Sequence, residues 1–426
     1  TALALLLGLG LFIALTYMIL ANKDSAGEKL VSFLLACVVL FFMTFVLSSQ
    51  VTLTLAGIAG VILSIGMAVD ANILIFERIK EELNEEKSLM EAINEGFHRA
   101  WDSIRDSNFS SLITCAILFY FGSSIIRGFA LNLALGILVS MFSAITLTYT
   151  FLQFTAQSKT LEKKLWLFGK TSKKGHLNLP FIGLTKVWAG ISGILIVGSF
   201  LAVGVFGLNL GLDFTGGTLL EVKMGDETLA PQNVNLGADY GTPHIVKTDQ
   251  GSFIMRMRTL SEEEHQALLT SLKSSYGEVE EIRFTTVGPS IGTSLKHKAA
   301  LALAITLIMI VLYIAFAFRR VPKEVSPWRF GVAAIAALVH DIIVLIGSFV
   351  VLGHFFNFEI DALFITALLT IMGFSVHDTI VVFDRMRENL RFREANESLA
   401  VTADRALNQT LARSVNTSLS ALITIL

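Results

Sequence analysis

The chain has 426 residues, of which 53% are hydrophobic and only 16% are charged, and its mean hydropathy is +0.66. Soluble domains are about 45–50% apolar and about 25% charged, so this composition predicts a protein with several membrane-spanning helices. The net charge of −2 gives no indication of nucleic-acid binding. Cys37 and Cys115 each lie within an apolar run, without neighbouring cysteine or histidine ligands, which argues against a disulfide or a metal site.

Apolar runs long enough to cross about 30 Å of hydrocarbon follow one another along the chain. Basic residues collect in alternate connections, and the positive-inside rule places those connections in the cytoplasm. Two of them, residues 77–105 and the loop around 399–411, have apolar residues at helical spacing and predict amphipathic helices on the membrane surface or at the base of the bundle. The runs occupy about 2–21, 30–49, 53–76, 109–126, 128–156, 187–207, 298–318, 330–352 and 361–383, and a tenth begins at about 414.

Polar stretches between these runs divide the chain into five segments. We expect a five-helix membrane domain at 1–156, a basic cytoplasmic linker at 157–186, one helix at 187–207, an extracytoplasmic domain at 208–297 and a second membrane domain at 298–426. The chain begins with a threonine and ends within an apolar run, so we expect a fragment of a longer protein, and its first helix is not evidence for a signal peptide.

The extracytoplasmic segment has the pattern of a small α+β domain. Ser261 followed three residues later by Glu264 forms a capping box at the start of a helix over 261–275, and a weaker helix is expected at 230–240. The order of strands and helices predicts a ferredoxin-like fold. The four predicted strands are TLLEVKM (218–224), PHIVKT (243–248), FIMRMR (253–258) and EVEEIRFTTVG (278–288).

A carboxylate lies deep within the third apolar run, in the stretch Gly66–Arg78 (GMAVDANILIFER). Placing an ionisable group in hydrocarbon costs about 2.5–3.5 kcal/mol on insertion scales, so Asp70 is expected to face a bundle interior and to have a function. The simpler alternative is that Asp70 only forms hydrogen bonds between helices. The same design returns in Gly373–Asn389 (GFSVHDTIVVFDRMREN).

A shift of 307 positions aligns the two halves of the chain at these stretches. Asp70 then falls on His377, while the second half carries its acid one residue later, at Asp378. Asp106 falls on Arg413, an acid opposite a base. Parallel repeats of this kind are a transporter architecture, with the functional groups near the interface of the halves.

Two acids, an imidazole and a guanidinium near one another would be able to pass a proton. Burial raises the pKa of a carboxyl group in general and a nearby cation lowers it, so a movable Arg413 would select which of Asp70 and Asp378 is charged. The alternative to this relay role is that Arg413 extends its side chain to the membrane interface as an anchor. We expect His377 to tune Asp378 rather than to bind a metal.

Two further polar residues, His340 and Asp341, are adjacent within an apolar run (AALVHDIIVL). Both are candidates for the same pathway. Adjacent helical residues point about 100° apart, so at most one of them is expected to face it.

The stretch GLDFTGG contains Asp213, Gly216 and Gly217 and predicts a tight turn between a helix and the first strand. We interpret it as a hinge that couples membrane motion to the outer domain. A phosphate-binding loop is not expected, because no GKS or GKT follows and the stretch faces the outer side.

At these motifs the chain resembles the SecD/SecF family of the bacterial Sec export machinery, with the two subunits joined in one polypeptide. The first half is similar to the SecD membrane domain in LTLAGIAGVILSIGMAVDANILIFERIKEEL and GFHRAWDSIRDSNFSSLIT. The second half is similar to SecF in GLDFTGGTLLEV, VGPSIGTSL, LVHDIIVLIGSF and TLARSVNTSLSALIT. The resemblance covers nearly the whole chain, with a first SecD helix and its outer domain expected before Thr1 and a last SecF helix after Leu426.

The resemblance implies a resistance-nodulation-division-like helical bundle in the bacterial cytoplasmic membrane. It implies a component that uses the proton motive force in late steps of polypeptide export and is not an enzyme. By motif match, the relay acids fall on Asp70 and Asp378 and the relay arginine on Arg413. The implied partners are the SecYEG channel, YajC, exported preproteins and membrane lipid, with no nucleic acid and no cofactor other than protons or sodium as the coupling ion.

Three other functions remain open at this point. A proton-coupled exporter of small molecules or lipids from the resistance-nodulation-division class would share the repeats and the membrane acids, but we expect it to have large outer domains in both halves. An intramembrane aspartyl protease would use Asp70 and Asp378 as a dyad, but the sequence lacks a GxGD motif at both. A purely structural scaffold leaves the buried acids unexplained.

Overall fold

The computed structural model describes residues 54–157, 164–170, 179–225, 234, 236, 240, 243–248, 251–319, 327–394 and 396–425. The predicted runs at 2–21 and 30–49, most of the predicted helix at 230–240 and much of the predicted linker lie outside the described residues. The described chain forms two compact units. One comprises the described parts of Thr1–Leu195, Ile305–Ile342 and Leu369–Leu426, and the other comprises those of Ile196–Ala304 and Ile343–Leu368.

Helices dominate the described chain. Ser143–Thr148 is a π-helical segment between the helices Ser124–Phe142 and Tyr149–Ala156, and Leu165–Phe168 is a 3-10 turn. The helices are α1 (Leu55–Asn84), α2 (Leu89–Phe121), α3 (Ser124–Phe142), α4 (Tyr149–Ala156), α5 (Thr185–Phe206), α6 (Leu212–Thr215), α7 (Glu262–Tyr276), α8 (Pro289–Ala317), α9 (Pro327–Phe356), α10 (Ala362–Arg391) and α11 (Leu399–Ile425).

Within the described residues, six helices are long and apolar enough to cross a membrane. They are α1, the continuous stretch Ser124–Ala156, α5, α8, α9 and α10. The predicted runs at 53–76, 128–156, 187–207, 298–318, 330–352 and 361–383 fall on these six helices and are confirmed. The run at 109–126 falls on the end of α2, which stops at Phe121, and on the first residues of α3, which begins at Ser124, so it is not one helix. The run from 414 falls within α11, and neither α2 nor α11 is among the six.

The connection between the first two described helices is much shorter than the predicted loop at 77–105. Helix α1 continues through the charged run to Asn84, and α2 begins after its N-cap Ser88 and runs unbroken to Phe121. Leu89, Ile93 and Ile104 are buried in one core cluster with residues of α1. The apolar face predicted for this loop therefore packs at the base of the bundle, and helix α11 is likewise continuous from Leu399 to Ile425.

Helix α1 lies at the centre of its unit and packs against α2, α3 and α11. The side chain of Thr54 caps its first turn by accepting a hydrogen bond from the backbone nitrogen of Gly57 at 3.1 Å. Gly60 allows close approach to α3, because a Cβ atom there would lie 2.8 Å from the carbonyl oxygen of Phe129. Small residues thus permit the packing that buries one face of α1.

The second unit contains a four-stranded antiparallel sheet in the order β2-β3-β1-β4. Alternate residues of the central strands, such as Leu220, Val222, Phe253 and Met255, are fully buried beneath α7. This strand order is that of a ferredoxin-like fold, which confirms the predicted α+β domain, and the capping box at the start of α7 is present. The strands are β1 (Gly217–Met224), β2 (His244–Lys247), β3 (Ser252–Met257) and β4 (Val279–Val287).

Candidate functional site

Asp70 is the centre of a buried polar cluster within the first unit. Its side chain is almost inaccessible, with the residue 2% exposed. Nη2 of Arg413, on α11, donates a hydrogen bond to Oδ2 of Asp70 at 2.7 Å, and Nε2 of His377, on α10, lies 2.6 Å from the same oxygen. The hydroxyl of Thr417 donates to the other oxygen, Oδ1. One carboxylate from the first repeat is therefore held by three side chains from the second.

The repeat relationship is directly visible at this cluster. Asp70 and His377 occupy the same position of the two repeats, 307 residues apart, and their side chains are in contact. Equivalent positions of two repeats can meet only where they lie close to the axis that relates the repeats. His377 was expected to act on Asp378, whereas its Nε2 faces Asp70.

Several buried atoms of this cluster lack a hydrogen-bond partner among the described residues. They are Nε and Nη1 of Arg413, Nδ1 of His377 and Oδ1 of Asp378. A buried polar group left unpaired costs about 1–3 kcal/mol, and more when it is charged. Arg413 is 1% exposed, so its two unpaired nitrogens cannot be explained by extension to the membrane interface. The cluster therefore has donors and an acceptor available for a second arrangement.

Thr417 was not singled out in the sequence. It lies four residues after Arg413, on the same face of α11, and it is equivalent in the repeat to Ser110. A search for hydroxyl residues one turn from the candidate arginine would have found it. Asn72, the amide two residues after Asp70 on α1, lies outside this cluster. Its Oδ1 accepts a hydrogen bond from Thr148 at 3.0 Å, a contact within the first repeat.

A second group of charges lies on the same helices, nearer the ends that the distribution of basic residues predicts to be cytoplasmic, and it is arranged symmetrically. Arg78 reaches Glu388 at 3.1 Å, and the equivalent residue of the other repeat, Arg385, reaches Glu81. Each arginine also pairs with the glutamate of its own helix, at 3.3 Å for Arg78 with Glu81 and 3.0 Å for Arg385 with Glu388. We call these four residues the charge clasp. The sequence placed Arg78 in the charged connection at 77–105, and the structure buries both Arg78 and Arg385.

The remaining candidates for the relay occupy other places in the first unit. Asp106 interacts with Arg105 at 2.9 Å and accepts a hydrogen bond from the hydroxyl of Tyr313 at 3.4 Å, without a direct bond to Arg413 among the described residues. Its repeat equivalence to Arg413 therefore does not place the two side chains together.

The side chains of His340 and Asp341 contact each other. Nδ1 of His340 lies 3.0 Å from Oδ1 of Asp341. The other carboxylate oxygen accepts a hydrogen bond from Ser375 at 2.6 Å, and Ser375 precedes His377 by two residues on α10. This pair thus lies beside the relay helix but makes no hydrogen bond with Asp70 or Arg413 within the described part of the chain.

The predicted hinge lies at the junction of helix and sheet in the second unit. The short helix α6 ends at Thr215 and is followed by Gly216 and Gly217, whose φ angles of 71° and 125° are ones that L-residues rarely adopt. The carboxylate of Asp213 accepts a hydrogen bond from the backbone nitrogen of Ala362 at 3.0 Å, at the first residue of α10. The tight turn is confirmed, and it is bonded to the start of the helix that carries His377 and Asp378.

Backbone hydrogen bonds extend this junction along the segment before α10. The nitrogen of Ile360 donates to the oxygen of Asn209 at 2.8 Å, and the nitrogen of Gly211 donates to the oxygen of Ile360 at 2.8 Å. Arg256 of the sheet forms an ion pair with Glu359 in the same segment. Among the described residues, no group of three or more His, Cys, Asp or Glu side chains is arranged to hold a metal ion.

Comparisons with known proteins match this architecture. The family model described as "Protein export membrane protein SecD/SecF, C-terminal" matches residues 267–426, the "SecD/SecF GG Motif" matches residues 201–226, and the MMPL family matches residues 27–174. A protein translocase subunit SecDF of Brucella abortus is 33% identical over 98% of this chain and 53% of its own length. A protein translocase subunit SecF of Thermobaculum terrenum is 41% identical over 55% of this chain and 78% of its own length.

A solved structure has the same fold. The crystal structure of SecDF, a translocon-associated membrane protein, from Thermus thermophilus is 32% identical and superimposes with a TM-score of 0.74, covering 97% of this chain and 55% of that one. The chain thus spans about half the length of the SecDF proteins that it matches.

Proposed function

Because this chain belongs to the SecD/SecF family, we propose that it is part of an ion-coupled motor that assists polypeptide export through the Sec channel. It is a multi-pass protein of the bacterial inner membrane, and its relatives are translocase subunits. The observation that supports ion coupling is the buried Asp70, which bonds Arg413, His377 and Thr417 of the other repeat. A scaffold without ion movement gives no reason to maintain that costly group.

In the proposed cycle, Arg413 alternates between two acids. In this proposal, the hydrogen bond from Arg413 to Asp70 corresponds to the state in which Asp70 is ionised. When Asp70 takes a proton, the attraction to Arg413 is lost, and the free carboxylate oxygen of Asp378 becomes the next partner for the unpaired guanidinium nitrogens. His377 contacts Asp70 and precedes Asp378, so its imidazole can carry the proton between the acids. Each exchange moves α11 relative to α1 or α10.

The motion reaches the outer domain through α10 in this proposal. Its first residue is bonded to Asp213, and the preceding segment is bonded to Asn209, Gly211 and Arg256. A helix transmits an axial displacement because its backbone hydrogen bonds resist stretching. The proposed joint between α6 and β1 is the tight turn at Gly216 and Gly217, whose φ angles L-residues rarely adopt. The outer domain would then hold or release the emerging polypeptide as α10 shifts. SecYEG is the proposed channel partner, with YajC, preproteins and membrane lipid as further partners.

Vesicles that contain the Sec channel, its ATP-driven motor and the full-length protein test this function. We expect Asp70→Asn and Asp378→Asn each to abolish the part of preprotein transport that depends on the proton gradient, while ATP-driven transport continues. Both substitutions preserve the size of the side chain and remove the titrating group. Protons and sodium are varied separately to identify the coupling ion. Full gradient-dependent stimulation in both variants would exclude the relay.

A further inference from the structure

Glu77 is a carboxylate on the relay face of α1 that the proposed cycle does not use. It follows Asp70 by seven residues, which is two helical turns to within about 20° and a rise of about 10 Å. The helix continues from Glu77 to Asn84 and the short connection 85–88, which the distribution of basic residues places in the cytoplasm. Glu77 thus lies between the buried cluster and the cytoplasmic end of the helix, and it is partly buried.

The two repeats treat this position differently. The equivalent residue in the second repeat, Asp384, accepts a hydrogen bond from Ser103 at 2.5 Å and is also bound by Arg387. Glu77 makes no hydrogen bond or close ion pair with the described residues. Thr410, the counterpart of Ser103, donates its hydroxyl to the backbone of its own helix at 3.0 Å. One acid of the pair is fixed in place and the other is left available.

Arg413 connects Glu77 to the buried cluster. It donates to Asp70 at 2.7 Å through Nη2 and keeps Nε and Nη1 unpaired among the described residues. Among the charged groups that face Glu77, Arg413 exerts the strongest attraction. The same guanidinium therefore acts on both acids of α1. The other charged groups that face Glu77 are Glu81, Arg385 and Lys80.

We propose that Glu77 is the cytoplasmic exit station of the proton path, a role that rests on the proposed ion-coupled function. When Arg413 returns to Asp70, the proton leaves an Asp70 oxygen, passes along hydrogen-bonded water and is taken up by the Glu77 carboxylate. Glu77 then releases it to water at the cytoplasmic end of α1, and its negative charge is restored opposite Arg413. The equivalent acid of the second repeat offers no such exit, since Asp384 is held by Ser103 and Arg387.

Inverted membrane vesicles that contain the full-length protein and the Sec channel test this assignment, because their cytoplasmic face is outside. Proton flux is measured with a pH-sensitive dye while the external pH is varied. We expect Glu77→Gln to reduce the flux toward that of Asp70→Asn and to remove its dependence on external pH. Glu77→Asp retains a carboxylate and should keep both properties. Glu95→Gln, which removes an exposed carboxylate of α2, serves as the control and should behave as the parent protein.

The outcomes separate this inference from the function on which it rests. Parent-like flux and pH dependence in Glu77→Gln, together with loss of flux in Asp70→Asn, would overturn the exit station and leave the relay intact. Parent-like flux in Asp70→Asn would remove the relay itself. Should Glu77→Gln fail to insert, Glu77→Asp decides the matter: an inserted, monodisperse Glu77→Asp protein without flux would show that packing, not titration, is required, and would also overturn the proposal.

Discussion

The ion pair between Asp70 and Arg413 predicts a measurable coupling between two substitutions. Both residues are almost fully buried, and the pair is closed by a 2.7 Å hydrogen bond. Arg413→Met removes the guanidinium and leaves Asp70 with His377 and Thr417 as partners. Breaking a buried pair by removing one partner costs about 3–5 kcal/mol. We expect Arg413→Met to lower the free energy of unfolding by about 3 kcal/mol, near the lower end of this range, because two side-chain contacts to the Asp70 carboxylate remain.

The double variant should be more stable than the sum of the two changes predicts. Asp70→Asn leaves Arg413 as a buried charge without a counter-ion, whereas Asp70→Asn with Arg413→Met leaves no buried charge at either position. Replacing a whole buried pair is often close to neutral. The interaction energy from the double-mutant cycle should therefore be at least about 3 kcal/mol, at or above the upper end for residues in contact.

The cycle requires the free energies of unfolding of the parent protein, the two single variants and the double variant. Each is measured on purified protein in mixed micelles at increasing denaturant concentration. The exposed ion pair between Arg258 and Glu264, 2.6 Å apart in the outer domain, is the matched control and should show much weaker coupling. Additivity of the Asp70 and Arg413 changes to within about 0.5 kcal/mol would refute the reasoning, because uncoupled residues behave in that way.

Two further predictions concern the outer domain. Gly217→Ala should destabilise it by more than about 1 kcal/mol in thermal unfolding, since φ is 125° and the new Cβ would lie 2.7 Å from the oxygen of Met257; an unchanged melting temperature would contradict this. The hydrogen bond from Arg258 lowers the pKa of Glu264 in the folded protein. The interaction therefore adds to folding stability above the pKa that Glu264 has in the unfolded chain, and this contribution is lost as the pH falls through the lower pKa of the folded state. Arg258→Met should therefore lose less stability than the parent protein when the pH is lowered from neutral to about 3, and equal losses would contradict the linkage.

The sequence was most informative where a pattern has a fixed period. Apolar runs predicted the six spanning helices, and the alternation around Leu220 and Val222 predicted the sheet and its α+β fold. The repeat of 307 residues singled out Asp70, His377 and Arg413, which meet in the structure. Each of these features depends on local chain geometry or on duplication, which the sequence encodes directly.

Side-chain partners across helices were predicted less well. Asp106 bonds Arg105 and Tyr313 instead of facing Arg413, since equivalent sequence positions need not be close in space. The residues of the charge clasp were predicted to lie in charged connections beyond the apolar runs, whereas Arg78 pairs with Glu81 of its own helix and with Glu388 of the facing helix. Which of two neighbouring polar residues a histidine contacts depends on its rotamer, which the spacing of residues does not determine.

The exchanged pairs of the charge clasp have a consequence for the order in which the chain assembles. Arg385 bonds Glu81 across 304 residues of sequence, and Arg78 bonds Glu388 across 310. During synthesis the first repeat is therefore complete long before its partners exist. Contacts of such large sequence separation form late.

Until then, the pairs within each helix keep the charges neutralised. Arg78 and Glu81 in the first repeat, and Arg385 and Glu388 in the second, need only one helical turn to meet. The exchange of partners between the two helices can occur only after the second repeat has inserted. Each repeat therefore enters the membrane with its own charges paired. The charge clasp forms in a late step of assembly, when the ion pairs between the two helices join the repeats.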